Sequence, residues 1–473
     1  MEDSTRVRSF PLVYLGLVAA GVLIRLLFLL LAGELEPYAD ENFYLYHGLC
    51  MERFSLYQGG VAYLWPPGYP FFLAVFLRLF QGEAVFAAKL CQVLLAGVVG
   101  WTLLLFANRL FSRRAAFVAG VVWAVYLPFI GFTHYLWPEM LCLAVSLPAF
   151  YLLFTWWMDS ERGVPGNGRL LAAGLLFGVA LLIKEVLLYF SLVIAVLILW
   201  RHRRFSWRGG LSHVALFLLS VIVVVLPWSL RNYEVYGRVA PVGITLGANC
   251  YQGVVRPYAC FDYPRIDYTE LWDEESWVYR RFIVQPPGWP AERVHAPNMC
   301  DESTANVKLA MGLTMEHPWW FARSRIKRLA NWLAPWSFFV RHHGLGRYHG
   351  LLNEAPVRDV LVVLCLLQTA AIIALSVPGF LLSLRQPMGR ALLGWLLLYG
   401  LATALLVGMS RHRMVVEPFL IVLSAGFVTG AGRPWRGRRL AVGVVAAYWI
   451  VLVLLWSINQ PEMSTFLDRV WHS

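Results

Sequence analysis

Charged residues are scarce in this sequence. Only 14% of its 473 residues are Asp, Glu, Lys or Arg, whereas 59% are hydrophobic. Soluble domains average about a quarter charged residues, so this composition argues against an ordinary soluble enzyme and predicts that a lipid bilayer is the solvent. The apolar runs lack the alternating pattern of a membrane β-barrel, and helices are therefore the predicted spanning element.

Cysteine is also sparse. The chain has seven cysteines and no CxxC pair, so neither a zinc ribbon nor a thioredoxin-type redox site is indicated. Four of them, Cys50, Cys250, Cys260 and Cys300, lie outside the apolar runs. In an oxidising compartment a disulfide between Cys250 and Cys260 is one interpretation, and unpaired cysteines are the other.

Basic residues outnumber acidic ones and give a net charge of +12, and a positive charge of this size is compatible with a nucleic-acid partner. The arginines, however, stand in short clusters between apolar runs, and this distribution is typical of cytoplasmic loops. Membrane lipids are therefore the predicted surroundings, and no nucleic-acid partner is expected. The first apolar run, from Pro11 to Ala32, has no small-residue cleavage site, which predicts a retained helix rather than a cleaved signal peptide.

Eleven apolar segments are predicted to span the membrane, at residues 11–32, 86–107, 115–131, 138–157, 170–183, 186–200, 211–230, 357–384, 390–409, 414–430 and 438–457. One helix over 170–200 is the alternative to the fifth and sixth. Two helices are favoured, because a single one would hold Lys184 and Glu185 at mid-membrane, where ionisable groups are costly. With the N-terminus inside and residues 68–81 dipping into the interface without crossing, the dense arginine clusters all fall on the cytoplasmic side.

This topology divides the chain into three regions. Residues 1–231 form an N-terminal transmembrane catalytic module that includes a first outer loop at 33–85. Residues 232–355 form a small extracytoplasmic domain, and residues 356–473 supply the C-terminal transmembrane helices. No internal repeat of the kind common in transporters is visible.

The same topology gathers acidic and basic residues from distant segments on the outer face: Asp40, Glu41, Glu139, Lys184, Arg231, Arg411 and Arg413. Transfer of a sugar from a lipid-linked phosphate needs a carboxylate near the acceptor hydroxyl and cations on the departing phosphate. Arginine and lysine suit the second task. Each residue also has a structural interpretation, since acids can solvate a loop or cap a helix and bases can anchor at lipid headgroups. The histidines His342, His343 and His349 are interpreted as part of a wet interfacial loop rather than as metal ligands.

Several short motifs occur in an order that resembles the bacterial GT-C membrane glycosyltransferases of the family 39 group, which includes the dolichyl-phosphate-mannose protein mannosyltransferases and the lipid A aminoarabinose transferase. The resemblance covers nearly the whole chain. The segments that carry it are Asp40-Glu41, Pro66–Phe72, Pro138-Glu139, Pro227–Asn232 with Gly237, His317–Trp336 and Ser410–Phe419.

The resemblance implies an all-α GT-C fold with about 11 transmembrane helices, outer-face interfacial helices and a small extracytoplasmic domain. It implies a bacterial inner-membrane enzyme that moves a sugar from a polyprenyl-phosphate donor to a glycan, lipid or protein acceptor at the periplasmic face, with inversion. A transporter or flippase of lipid-linked sugars is the alternative, and a non-catalytic assembly subunit is a third.

The resemblance also assigns roles to residues. Asp40 is the catalytic base with Glu41 as its neighbour, and Glu139 assists the acceptor or the site geometry. The basic residues predicted at the donor phosphate are Lys184, Arg231, Arg411 and Arg413. Many relatives carry a basic residue before a proline at this position, whereas Lys184 is followed by Glu185, which leaves the role of Lys184 open. No metal site is assigned, and a lone divalent ion between Asp40 and Glu139 is left open.

Overall fold

A computed structural model describes residues 12–33, 35–53, 65–160, 166–202, 207–255, 299–384, 386–430 and 439–458, together with Ser464 and Leu467. Every regular element within these residues is a helix, and no β-strand occurs among them. The all-α prediction is therefore confirmed. Cys260, and with it the suggested Cys250–Cys260 disulfide, lies outside the described residues.

The described residues of the N-terminal half form eleven α-helices, some of them short. They are α1 (Leu12–Ala32), α2 (Asp40–Arg53), α3 (Gly68–Phe80), α4 (Ala84–Leu110), α5 (Arg113–Val125), α6 (Leu127–Phe132), α7 (Glu139–Ser160), α8 (Asn167–Ile183), α9 (Leu187–His202), α10 (Trp207–Tyr236) and α11 (Thr245–Cys250).

The C-terminal half adds eight described helices. They are α12 (Met299–Glu316), α13 (Pro318–Trp332), α14 (Phe338–Gly344), α15 (Ala355–Ser383), α16 (Pro387–Leu405), α17 (Ser410–Arg413), α18 (Glu417–Gly430) and α19 (Arg439–Ile458). The helices α11 to α14 lie in the described part of the predicted extracytoplasmic domain. The three-region division of the chain stays a prediction.

Five helical stretches of the described chain are long and apolar enough to cross a membrane: Leu12–Ala32, Gly68–Leu110, Glu139–Asp159, Trp207–Tyr236 and Ala355–Ser383. Five shorter apolar helices accompany them, in α8, α9, α16, α18 and α19. The chain is thus a membrane protein with several spanning helices. The count of eleven spans, and the dip of residues 68–81 into the interface, remain predictions.

Two breaks in the helices shape the molecule. The backbone at Lys184 is extended, so α8 and α9 are separate helices as predicted. The predicted span at 115–131 is instead divided into α5 and α6, because Tyr126 is extended and Pro128 lies in the first turn of the next helix. The Gln368 side chain fills this break by accepting from the amide of Leu127 and donating to the carbonyl of Val125, each at 3.0 Å. Backbone groups freed in a membrane helix need such partners.

Helix α18 is deeply buried, and every one of its residues from 417 to 426 is shielded from solvent. It packs against α4, α5 and α15. At its contact with α15 the backbones approach so closely that a Cβ added at Gly379 would lie 1.8 Å from the carbonyl oxygen of Leu423. Small residues at such crossings allow the close van der Waals packing that holds membrane helices together. This core gives the helix ends beside it a rigid support.

Candidate active site

Four of the predicted residues meet in one cluster, which we call the charge cluster: Asp40, Glu139, Lys184 and Arg411. Arg411 Nη1 donates to Asp40 Oδ2 at 2.5 Å, and Arg411 Nε donates to Glu139 Oε1 at 2.6 Å. Lys184 Nζ donates to the same Glu139 oxygen at 2.7 Å. Two carboxylates and two cations therefore form a connected group from four segments of the chain.

Each member of the charge cluster stands at a helix start or a break. Asp40 is the first residue of α2 and follows Ala39, whose φ of +50° turns the chain sharply. Glu139 is the first residue of α7 and follows Pro138. Lys184 occupies the break between α8 and α9, and Arg411 lies in the short helix α17. The dipoles of α2 and α7 place positive potential beside the two carboxylates.

Helix α17 is held in place by the C-terminal half of α13. Arg325 and Arg328 donate to the carbonyls of residues 405 to 407, at the end of α16. Gly408 then turns with a φ of +59° against the backbone of Arg328. Arg413 donates to the carbonyls of Trp332 and Ala334 at 2.6 and 2.7 Å. These contacts fix α17 on both sides of Arg411.

The charge cluster is buried unevenly. The side chain of Glu139 is 0% exposed, whereas that of Asp40 is 37% exposed. Burial by itself lowers the pKa of Arg411, but Glu139 and Asp40 outweigh this effect and raise it, so its positive charge is permanent. The guanidinium also lies 4.1 Å from the ring centre of Trp137, a cation–π contact. Asp40 is consequently the carboxylate of the cluster that an incoming molecule can reach.

Glu41 belongs to a different set of contacts from Asp40. Its Oε1 accepts from the amide of Leu136 at 2.8 Å, and its Oε2 accepts from the amide of Tyr38 at 2.8 Å. Arg347 Nη2 donates to the same Oε2 at 2.9 Å. Adjacent acids on α2 thus point to different partners.

Arg231 and Arg413 also have partners outside the charge cluster. Arg231 is buried, lies 4.9 Å from the ring centre of Trp228, and donates to Asn232 Oδ1 at 3.2 Å. Arg413 is fully buried and donates from Nε to Glu417 Oε1 at 2.8 Å in addition to its carbonyl contacts. The structure therefore brings four of the seven predicted residues together and not the other three.

Sequence reasoning missed two neighbours of the charge cluster. Tyr44 lies one helical turn after Asp40, is buried, and interacts with Arg411. Burial raises the pKa of its phenol well above the usual value, so the hydroxyl stays protonated. Arg341 on α14 interacts with Tyr38 and Asp40. The spacing of four residues from Asp40 to Tyr44 was a usable signal, because such residues share a helix face.

The histidines after Arg341 are not in a wet loop. His342 and His343 are buried in α14, and their rings lie 4.1 Å from that of Tyr135 and 4.3 Å from that of Tyr348, respectively. Burial lowers the pKa of His343 to about 3, so it is neutral. The expectation of an exposed loop is wrong for these two residues, while His349 is exposed. Among the described residues, no group of three or more His, Cys, Asp or Glu side chains is placed to hold a metal ion.

The buried carboxyl group of Glu185 is expected to make the stability of the folded chain depend on pH. Burial raises its pKa to about 7, although hydrogen bonds from the backbone at Thr245 and Gly243 oppose the shift. An acid with a raised folded pKa contributes stability below its unfolded pKa, and this contribution is lost as pH rises through the folded value. We expect the apparent Tm to fall by several degrees between about pH 4.5 and 7.

The measurement is thermal unfolding of the detergent-solubilised chain across this pH range. The Glu185→Gln variant should have a flatter profile and a higher apparent Tm than the parent above pH 7. The exposed Glu83→Gln variant is the control. Identical profiles for the parent and Glu185→Gln would contradict the prediction.

Comparison with known proteins agrees with this architecture. Residues 65–228, about a third of the chain, match the family model of the dolichyl-phosphate-mannose-protein mannosyltransferases. The fold is similar to that of the apo oligosaccharyltransferase of Archaeoglobus fulgidus, with a TM-score of 0.51 and 13% sequence identity. That match covers 99% of this chain and 57% of the archaeal one, so the chain spans little more than half of that protein's length.

A second solved structure is less similar in shape. ArnT from Cupriavidus metallidurans, solved bound to undecaprenyl phosphate, has a TM-score of 0.38 and 15% identity, and the match covers 89% of this chain and 79% of ArnT. No curated protein matches the sequence. The predicted likeness to GT-C membrane glycosyltransferases is confirmed by the family match together with the archaeal fold.

Proposed function

We propose that this protein is a glycosyltransferase that moves a sugar from a polyprenyl-phosphate donor to an acceptor at the extracytoplasmic face of the membrane. The observation that carries the proposal is the charge cluster at the end of a membrane helix bundle, in which the partly exposed Asp40 contacts Arg411 and the buried Glu139 contacts both Arg411 and Lys184. The match to mannosyltransferases that use a dolichyl-phosphate donor supports the same chemistry.

Asp40 is the proposed general base. A transfer with inversion needs a carboxylate that removes the proton of the acceptor hydroxyl as that oxygen attacks the anomeric carbon. Asp40 is the more exposed of the two carboxylates in the charge cluster and lies at its edge. The bond between the anomeric carbon and the phosphate oxygen breaks in the same step, and the lipid phosphate departs with the electron pair.

Arg411 and Lys184 are the proposed partners of the departing phosphate, whose negative charge grows in the transition state. Their side chains are 12% and 16% exposed, so both are largely desolvated, and charge interactions are stronger there than in water. Glu139 touches both cations and fixes them in place. We therefore assign Glu139 to the geometry of the site rather than to proton transfer. The sequence left open a divalent ion between Asp40 and Glu139. In the structure the guanidinium of Arg411 lies between these two carboxylates and contacts both.

The other predicted residues receive different roles. Because Arg413 directs its donors to Glu417 and to carbonyls of the α13 end, we propose that it supports α17. Because Glu41 is directed to Arg347 and to the amides of Tyr38 and Leu136, we assign it to the positioning of Asp40. Arg231 stays a predicted phosphate ligand, and its neighbour Asn232 donates to the carbonyls of Ala240 and Val242 in the segment before α11.

An apolar crevice suits the carrier's isoprenoid chain. It lies between α7, α9 and α16 and is lined by residues such as Phe150, Ile194 and Trp395. Trp395 continues through the rings of Phe190 and Tyr399, at successive centre distances of 4.4 and 5.4 Å, toward the charge cluster. The Tyr399 hydroxyl donates to the carbonyl of residue 412, next to Arg411. From Glu139 to Phe150 the helical rise is about 16 Å, a depth that an isoprenoid chain can reach from a phosphate bound at Arg411.

The arginine clusters between the apolar runs support a cytoplasmic location for the opposite end of the bundle. We therefore propose an inner-membrane protein of a bacterium whose charge cluster faces the periplasm. The acceptor, whether glycan, lipid or protein, would reach Asp40 from that side.

The test is transfer in sealed right-side-out membrane vesicles from cells that express the chain. A radiolabelled undecaprenyl-phosphate sugar in the outer leaflet should lose its label to an external acceptor, and vesicles without the chain are the control. Label that instead appears inside the vesicles, still attached to the lipid, would indicate a flippase. No loss of label from any of a panel of sugar donors would contradict the proposal.

A further inference from the structure

A second buried ion pair lies beside the charge cluster without being part of it. Arg347 Nη2 contacts Glu41 Oε2 at 2.9 Å, and the two side chains are only 10% and 3% exposed. An ion pair with so little solvent contact is costly unless its remaining hydrogen-bonding groups are satisfied. These two side chains are extensively satisfied, which indicates that the pair has a defined geometry.

The pair joins three segments that are far apart in sequence. Glu41 accepts from the amides of Tyr38 and Leu136, so one carboxylate holds both the start of α2 and the turn before α7. Arg347, in the loop after α14, also donates to the carbonyl of Glu36 and lies 5.1 Å from the ring centre of Tyr38. It further contacts the ring of His342.

Each of these segments also carries a residue of the charge cluster or a neighbour of it. Asp40 precedes Glu41 directly, and Glu139 follows Leu136 by three residues. The first of these acids is the proposed base, and the second holds the two cations. A contact that fixes Glu41 against Leu136 therefore sets the separation between the base and the phosphate-binding side chains.

We propose that Arg347 is a positioning residue, which acts through Glu41 to hold Asp40 at its place beside Glu139 and Arg411. The inference rests on the proposed transferase function. Arg347 and Glu41 do not themselves take part in proton or sugar transfer. A displacement of about 1 Å in a catalytic group can lower a rate about a hundredfold, so the loss of this contact has a measurable effect.

The test compares Arg347→Met, Arg347→Lys, Glu41→Gln and the double variant Glu41→Gln/Arg347→Met in the full chain. Arg347→Met should lower kcat about a hundredfold and leave the KM for the lipid donor within about threefold, because Arg411 and Lys184 remain. Arg347→Lys, which keeps the charge, should recover at least about a tenth of the parental kcat. Glu41→Gln should resemble Arg347→Met.

The double variant discriminates between roles. If Arg347 acts through Glu41, the kcat of the double variant should lie within about threefold of that of Arg347→Met, because the effects of substitutions at coupled residues are not additive. If Glu41 were itself a base, the two losses would multiply, and this result would overturn the proposal. Parental kcat in Arg347→Met would overturn it equally. Arg358→Met is the matched control, since Arg358 is buried near the same loop and pairs with Asp359.

A failure of the proposed function gives a different pattern. In that case the parent chain itself transfers no sugar, and the pair is examined by thermal unfolding of the same four variants. Coupling predicts that each single variant lowers the apparent Tm and that the double variant lowers it no further. Additive Tm losses would overturn the proposed link between Arg347 and Glu41.

Discussion

Replacement of Asp40 by Asn is expected to lower sugar transfer by about a thousandfold, within the range of roughly 10²–10⁴ that a general base supplies. The amide has the shape of the carboxylate and can still accept from Arg411, so the charge cluster should keep its geometry. It cannot remove a proton from an acceptor hydroxyl. Initial rates at saturating donor, together with binding of a labelled lipid donor, measure the two properties separately.

The expected result is a lost kcat with donor affinity within a few fold of the parent. Asp159→Asn is the matched control, because Asp159 pairs with Arg109 and Arg169 at the opposite end of α7. That variant should retain transfer within about threefold. Undiminished turnover in Asp40→Asn would remove Asp40 from the mechanism. Loss of donor binding instead of turnover would assign it to the lipid phosphate.

The sequence was informative where the cause of structure is local. Apolar runs predicted the helices because burial in lipid depends on the composition of each run. Glu139, Lys184 and Arg411 were found because each lies at the edge of such a run, where ionisable groups are tolerated, and Asp40 because it lies in the outer loop after the first run. The division at Lys184 follows from the same rule. The break at Tyr126 was missed, because the Gln368 side chain that completes it is about 240 positions away.

The sequence was uninformative where residues close together in the chain direct their side chains to different partners. Arg411 and Arg413 are two positions apart on α17, so their side chains are separated by roughly 200° around the helix axis. One reaches the charge cluster and the other reaches the end of α13. The side chains of Asp40 and Glu41 likewise reach different partners, Arg411 and Arg347. The choice depends on tertiary partners such as Arg347, whose position in the chain carries no pattern.

Removal of the Arg411 guanidinium is expected to damage both stability and turnover. In Arg411→Met, the fully buried Glu139 keeps Lys184 as its described cation and loses the contact at 2.6 Å. Loss of one partner from a buried ion pair costs about 3–5 kcal/mol. Loss of a transition-state donor costs about 10²–10³ in kcat. Thermal unfolding and steady-state transfer should both report large losses.

A second substitution separates these two effects. In Arg411→Met/Glu139→Gln the buried carboxylate is replaced by a neutral amide. The remaining charges, on Asp40 and Lys184, cancel, so the cluster has no net charge. Breaking an ion pair is costly mainly because it leaves an uncompensated charge, so the double variant should regain most of the lost Tm. Its kcat should stay at least about a hundredfold below that of the parent, since no fork of donors faces the departing phosphate. A double variant that regained both stability and turnover would show that Arg411 serves only to neutralise Glu139, and the phosphate would then have to be held by Lys184 and Arg231.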